Sequence, residues 1–262
     1  MLTIDTNGIG LHYTDHGPRD GKAVVFSNSL GTDLRLWDAL LPLLPDGLRL
    51  VRYDKRGHGL SAAPTGPYTV EQLADDAAGL IEGLGLKDVV FVGLSIGGLI
   101  GQSLALRRPD LLKSLVVSNS AAKIGTDQMW NDRVDAIREG GLSVVAAPTM
   151  ERWFSPEFRA TPELALWQRM LERQPADGYI ACCQAIAGAD LRKDVPALSL
   201  PVQMIAGGLD GSTPPELVQA SGKLIPGARY AEIDGAGHLP CVEAAPEYAR
   251  ILSAFLQEVG HV

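Results

Sequence analysis

The sequence predicts an α/β protein: a mostly parallel central sheet with helices on both faces and a helical segment inserted after the sixth strand. Three observations carry this expectation. Short apolar runs rich in β-branched residues recur along the chain, stretches of helical period separate them, and the alternation breaks once, over residues 121–196. Strands buried on both faces read as near-continuous apolar runs, and helices alternating with them are what covers such a sheet.

Taken in order, residues 2–5 and 11–13 flank Asn7-Gly8, a dipeptide that readily takes the positive φ angles of a tight hairpin. The apolar runs at 23–26, 48–51, 89–92, 115–117 and 202–205 follow as parallel strands. Between them, residues 70–84 place Leu73, Ala77, Leu80, Ile81 and Leu84 on one helical stripe, and a second helix over 99–107 stops before Pro109. Residues 121–196 carry amphipathic segments with turn signals at Gly140-Gly141, Pro148, Pro156, Pro162 and Pro175, which predicts a helical cap. The core is then expected from residues 1–120 and 197–262, closed by a helix over 245–259.

A chain of 262 residues, 46% hydrophobic and 21% charged, has the composition of a folded globular protein rather than a disordered one. No apolar run is long enough to span a bilayer, and the first residues, MLTIDTNGIGLHY, carry no secretion signal, so the expected location is the cytoplasm. A net charge of −8 without a basic cluster argues against nucleic-acid and membrane partners, and an anionic substrate would need a local cation. Two of the three cysteines are the adjacent Cys182-Cys183, which is neither a disulfide framework nor a metal motif; reduced thiols in the core are expected.

The stretch Phe91-Val92-Gly93-Leu94-Ser95-Ile96-Gly97-Gly98 sets one serine between glycines where an apolar run ends and a helical stripe begins. G-x-S-x-G in a strand–turn–helix setting is the pattern of a nucleophile elbow. A phosphate cradle would call for G-x-x-x-x-G-K-[ST] or G-x-G-x-x-G, and neither is present. A serine hydroxyl needs a base to take its proton and an acid to orient that base. Of the five histidines, His12 and His16 lie in the opening hairpin, His58 in a turn after an early strand, and His261 in a terminal tail expected to be mobile. His238, between the last strand and the final helix, stands where the chain order serine, acid, histidine places the base. Asp210, ending a buried strand, is favoured as the acid over Asp234, whose alternative role is a turn cap. The amide of Ile96 opens the helix as one oxyanion donor. That of Leu30, in Ser27-Asn28-Ser29-Leu30-Gly31, is the second unless this loop is simply a polar turn.

Together with Trp37 and Asp54-Lys55-Arg56-Gly57-His58-Gly59-Leu60-Ser61, these residues resemble the α/β-hydrolase superfamily over essentially the whole chain. One departure is Asn28-Ser29, where many members carry His-Gly before the oxyanion residue. Phe26-Ser27-Asn28-Ser29-Leu30-Gly31-Thr32 followed by Trp37, with Gly-Leu-Ser-Ile-Gly-Gly at the elbow, is similar to the 3-oxoadipate enol-lactonases. That resemblance implies hydrolysis of 3-oxoadipate enol-lactone through an acyl-enzyme on Ser95, in protocatechuate and catechol breakdown, with no metal or organic cofactor. The carboxylate of such a substrate calls for a cation from the cap. Trp130 and Arg133, three apart on one helix face, offer an apolar wall beside a guanidinium, or else an exposed arginine over a structural tryptophan. Other cofactor-free chemistries of this scaffold stay open: a carboxylesterase, a perhydrolase of haloperoxidase type, or a hydrolase of carbon–carbon bonds. So does a non-catalytic ligand-binding protein.

Overall fold

Asn7 and Gly8 turn the chain at φ 48° and 75°, pairing β1 (Leu2–Thr6) antiparallel with β2 (Ile9–His16). The computed structural model describes residues 1–262. After the hairpin come β3 (Lys22–Ser27) and β4 (Leu48–Tyr53), helix α1 (Val70–Gly83), β5 (Val89–Leu94), α2 (Ile96–Arg107) and β6 (Leu112–Ser118). Five helices follow before the sheet resumes: α3 (Asp127–Gly140), α4 (Ser143–Trp153), α5 (Pro156–Arg159), α6 (Leu164–Glu172) and α7 (Ala176–Gly188). The chain ends with β7 (Val202–Gly207), α8 (Pro215–Gly222), β8 (Arg229–Ile233), α9 (Pro240–Glu243) and α10 (Ala245–Glu258).

The strands form one sheet in the order β1-β2-β4-β3-β5-β6-β7-β8, parallel from β4 to β8 with β2 antiparallel to its neighbours. Every residue of β5 and β7 is buried, which requires cover on both faces. In α1, Thr69 caps the first turn by accepting the Gln72 amide, and Leu73, Ala77, Leu80 and Ile81 are buried while Leu84 caps the C-terminus half-buried. The buried hydrophobic residues form a single cluster that includes Val134, Ile137, Trp153 and Tyr179 of the inserted helices. The insertion therefore shares the core of the sheet.

Three local expectations differ from the structure. Pro148 lies inside α4 instead of ending a segment; its ring removes the amide that would bond the Val144 carbonyl, at a residue already 47% exposed. The eighth strand, Arg229-Tyr230-Ala231-Glu232-Ile233, has no continuous apolar run because it is the sheet's edge, with one buried residue in five. His261 is buried rather than mobile, its Nε2 3.0 Å from the Ala23 carbonyl oxygen, so the tail is fastened to β3. Cys182, Cys183 and Cys241 are free and buried.

Candidate active site

Ser95 stands where β5 turns directly into α2, with φ 60° and ψ −118°, a left-handed backbone that a non-glycine residue adopts only when its surroundings impose it. A Cβ on Gly93 would lie 2.1 Å from the Gly97 carbonyl oxygen, and one on Gly97 would lie 2.2 Å from that of Ser27. Glycine at both positions lets β5, the start of α2 and the end of β3 approach this closely. The turn is braced from β6, where the Ser95 amide donates to Ser118 O (2.9 Å) and Ser120 Oγ donates to Ser95 O (2.7 Å). Ser95 is 8% exposed between neighbours at 0%, so the elbow opens outward at the serine. Its Oγ has no hydrogen-bond partner in the protein, His238 included; such contacts are often long in unliganded enzymes.

Asp210 follows β7 and His238 precedes α9. His238 Nδ1 lies 2.8 Å from Asp210 Oδ2, which also accepts Asn119 Nδ2 (2.9 Å) and Thr213 Oγ1 (2.7 Å), while Oδ1 accepts the amides of Ser212 (2.7 Å) and Thr213 (3.0 Å). Burial pushes this carboxyl's pKa up, but the His238 charge and the bonds from His238, Asn119 and Thr213 outweigh it and leave it below the ordinary value. An ionised carboxylate only accepts, so Nδ1 carries a proton, and in the neutral form of the imidazole this leaves Nε2 as a proton acceptor. Asp234 is exposed and makes no hydrogen bond or ion pair with His238, whose carboxylate partner is Asp210. Asn119, at φ 47°, also reaches Gly237 O (3.3 Å). Three successive residues, Ser118 to Ser120, thus hold the elbow on one side and the acid–base pair on the other. From α4, Trp153 O accepts the His238 amide (2.7 Å) and the Trp153 ring stacks on the imidazole with centroids 6.4 Å apart.

The amides of Leu30 and Ile96 are both unused within the protein. Ile96 begins α2, where first-turn amides have no helical partner. The Leu30 loop is fixed by its neighbours: Asn28 Nδ2 donates to Tyr53 O (3.0 Å), Trp37 Nε1 donates to Asn28 Oδ1 (3.0 Å), and Gly31 N–H donates to Nε2 of the buried His58 (2.9 Å). Two free amides near a strained serine are the donor set that an oxyanion requires.

In the insertion, Arg133 Nη2 donates to Thr149 Oγ1 (2.7 Å) and Tyr179 OH (2.5 Å), and Nε to Tyr179 OH (3.1 Å). Arg152 Nη2 reaches the same Thr149 Oγ1 at 3.4 Å. The buried Arg49, Arg52 and Arg56 pair with Asp15, Asp38 and Asp76, yet neither Arg133 nor Arg152 has a carboxylate partner. Burial, then the charge of Arg133, lowers the Arg152 pKa. The pair is tied to both sides of the elbow: Arg152 O accepts the amide of Gly211, next to Asp210 (3.1 Å), and the Tyr179 ring lies 3.0 Å from where a Gly31 Cβ would stand. Trp130 spends its indole N–H on Ile124 O (2.7 Å) and is 9% exposed, leaving only the ring face to offer.

The sequence gives no site role to Asn119, Thr213, Arg152 or Lys55, the last standing within the 54–61 stretch that carries the family resemblance. None belongs to the elbow pattern, and only Arg152, on an amphipathic helix beside Trp153, bore a charge in the predicted cap. A cleft of about 970 Å³ lies between α6 and the loops around Leu34 and Leu60, and its lining holds none of Ser95, Asp210 or His238.

The chain as a whole resembles known proteins. The chain is 39% identical over 213 residues to 3-oxoadipate enol-lactonase 2 of Acinetobacter baylyi, covering 80% of each protein. It is 34% identical to 3-oxoadipate enol-lactonase 1 of the same organism, over 99% of this chain and 97% of that one. The crystal structure of the enol-lactonase from Burkholderia xenovorans superposes with a TM-score of 0.94 at 36% identity, over 98% of this chain and 100% of that one. A model of the alpha/beta hydrolase family matches residues 24–251, and with the eight-stranded sheet carrying its serine elbow between β5 and α2, the chain belongs to that family of enzymes.

Proposed function

We propose that the protein opens 3-oxoadipate enol-lactone to 3-oxoadipate through an acyl-enzyme, as a cytoplasmic step of the β-ketoadipate route of protocatechuate and catechol breakdown. The observation that carries the chemistry is the buried Asp210–His238 pair, held by Asn119 to the strand end that braces Ser95, with two unused amides on the elbow's other flank. The substrate class is supported by the relatives' names and by the two arginines without counter-ions.

Ser95 Oγ attacks the lactone carbonyl as its proton passes to His238 Nε2. The carbonyl oxygen gains charge against the amides of Leu30 and Ile96. Collapse breaks the ring C–O bond, and the leaving enolate takes the proton back from the imidazolium. The leaving group stays tethered, so it would re-attack, but tautomerisation of the enol to a ketone removes that nucleophile. Water, deprotonated by His238, then attacks the ester carbonyl and releases Ser95, so one lactone and one water give one 3-oxoadipate. Arg133 and Arg152 hold the substrate's free carboxylate, with the Trp130 ring as an apolar wall.

A substrate panel tests this: the enol-lactone, p-nitrophenyl acetate and a ring-cleavage diene, with Ser95→Ala as control. The lactone should have the highest kcat/KM and Ser95→Ala should abolish turnover. A preference for the neutral ester points to a general carboxylesterase, and activity surviving in Ser95→Ala sinks the nucleophile assignment.

A further inference from the structure

The Ser29 carbonyl oxygen accepts three donors: Lys55 Nζ (2.6 Å), Thr32 Oγ1 (3.0 Å) and the Thr32 amide (3.3 Å). Lys55 is 1% exposed and no carboxylate pairs with it. Burying an ammonium against one carbonyl is unfavourable, and an apolar side chain of similar length would spare the fold that cost. Burial pushes the Lys55 pKa down to about 8 despite the opposing charges of Asp54 and Asp33. What the lysine gains for the protein is visible on the other side of the same peptide. The Ser29–Leu30 peptide is trans, so Ser29 C=O and Leu30 N–H lie in one plane and point in opposite directions. Whatever fixes Ser29 O therefore fixes the direction of the Leu30 amide. A cation on that oxygen also makes the N–H a stronger donor, because hydrogen bonds in a chain polarise one another. The following peptide is held too, by the Gly31 N–H bond to His58 Nε2; burial and the Lys55 charge hold the His58 pKa well below its ordinary value, so Nε2 stays an acceptor.

We propose that Lys55 is a positioning residue for the oxyanion site: its ammonium grips Ser29 O and thereby aims and polarises the Leu30 amide. This rests on the assignment of that amide as an oxyanion donor. Charge develops on the oxyanion in the transition state and not in the bound ester, so the effect falls on kcat and spares KM.

Lys55→Met, assayed on p-nitrophenyl acetate beside Ser95→Ala, tests it. The kcat should fall about tenfold with KM within about twofold, a fraction of what losing a whole oxyanion donor does, while Tm equals or exceeds that of the unmodified protein because a buried charge is gone. A lysine that merely holds the loop gives the reverse, a lower Tm with kcat kept, and that result overturns the proposal, as does a parallel fall of kcat, KM and Tm. The pH profile is the second measurement. Lys55 is faced by Asp54 at its own strand end, Asp33 from the loop after β3, Cys182 on α7 and His58. As pH rises through about 8 the ammonium loses its proton and kcat of the unmodified protein should decline, a limb missing from Lys55→Met. If that variant does not fold, the unmodified profile decides, and a kcat flat to about pH 9.5 overturns the proposal. Turnover surviving in Ser95→Ala refutes the serine-hydrolase reading itself, whereas Ser95-dependent turnover indifferent to Lys55→Met refutes only the role of the lysine.

Discussion

Two buried Asp–His pairs share one geometry and differ in company. His12 Nδ1 lies 2.8 Å from Asp54 Oδ2, and His238 Nδ1 lies 2.8 Å from Asp210 Oδ2. Asp54 spends its remaining capacity on the amides of Leu34 (2.7 Å) and Leu60 (2.9 Å), closing the loops after β3 and β4. Asp210 instead receives Asn119, from the strand end that braces the strained serine. The surrounding charges differ as well. Arg35, lining the cleft beside His12, is matched by Asp33, while Arg133 and Arg152 face no carboxylate. An Asp–His pair by itself is a way to knit loops; in the proposed mechanism, reactivity enters with the serine and the two free amides.

Removing each imidazole tests that contrast with the largest effect. His238→Ala should lower kcat on p-nitrophenyl acetate by about 10⁴-fold or more, as when the base of a serine triad is lost, with the far-UV circular dichroism spectrum unchanged. His12→Ala should keep kcat within about twofold and destabilise by roughly 1–3 kcal/mol in urea unfolding, the usual result of stripping a buried carboxylate of a donor. Comparable losses of kcat in both variants would place the His12 pair in the machinery and erase the contrast.

The arginines sharpen it at smaller magnitude. Arg133→Ala and Arg152→Ala should each raise KM for the enol-lactone about tenfold, the worth of one charge-assisted contact, and leave KM for p-nitrophenyl acetate nearly unchanged. Equal changes on both substrates would mean that the guanidiniums hold the insertion together around Thr149 and Tyr179 rather than a ligand.

What the sequence disclosed about these two regions follows from where the information is stored. The elbow is local: its strand, glycines and helix are contiguous, so Gly93-Leu94-Ser95-Ile96-Gly97 was readable as a unit, and the buried strands around it announced themselves as apolar runs. Most residues that hold the site together are non-local. Asn119 is an ordinary polar residue after a strand end, and its value lies in reaching Asp210 across 91 positions of chain; Thr213 is only three positions from Asp210, but no motif marks it. Arg152 and Lys55 matter through partners that are themselves distant or neutral, Arg133, Thr149 and the Ser29 carbonyl, which no spacing rule connects. The edge strand β8 was hidden for a simpler reason: exposed on one side, it lacks the apolar run by which inner strands are recognised.

The smallest effect concerns the acid of the His238 pair. Burial raises the Asp210 pKa, but the His238 charge and the bonds from His238, Asn119 and Thr213 outweigh it and hold the group below its ordinary 3.8. A carboxylate held below its unfolded value adds stability that is complete above the unfolded value and is lost as pH falls through the folded one. The unmodified protein should therefore lose Tm more steeply than Asp210→Asn on going from about pH 5 to about pH 3, since the amide has no proton to take up, and the two curves should converge on the acid side. A Tm difference that stays constant over this range would mean that Asp210 is bound no more tightly as a carboxylate in the folded chain than in the unfolded one. The pair with His238 would then owe its geometry to packing under Trp153.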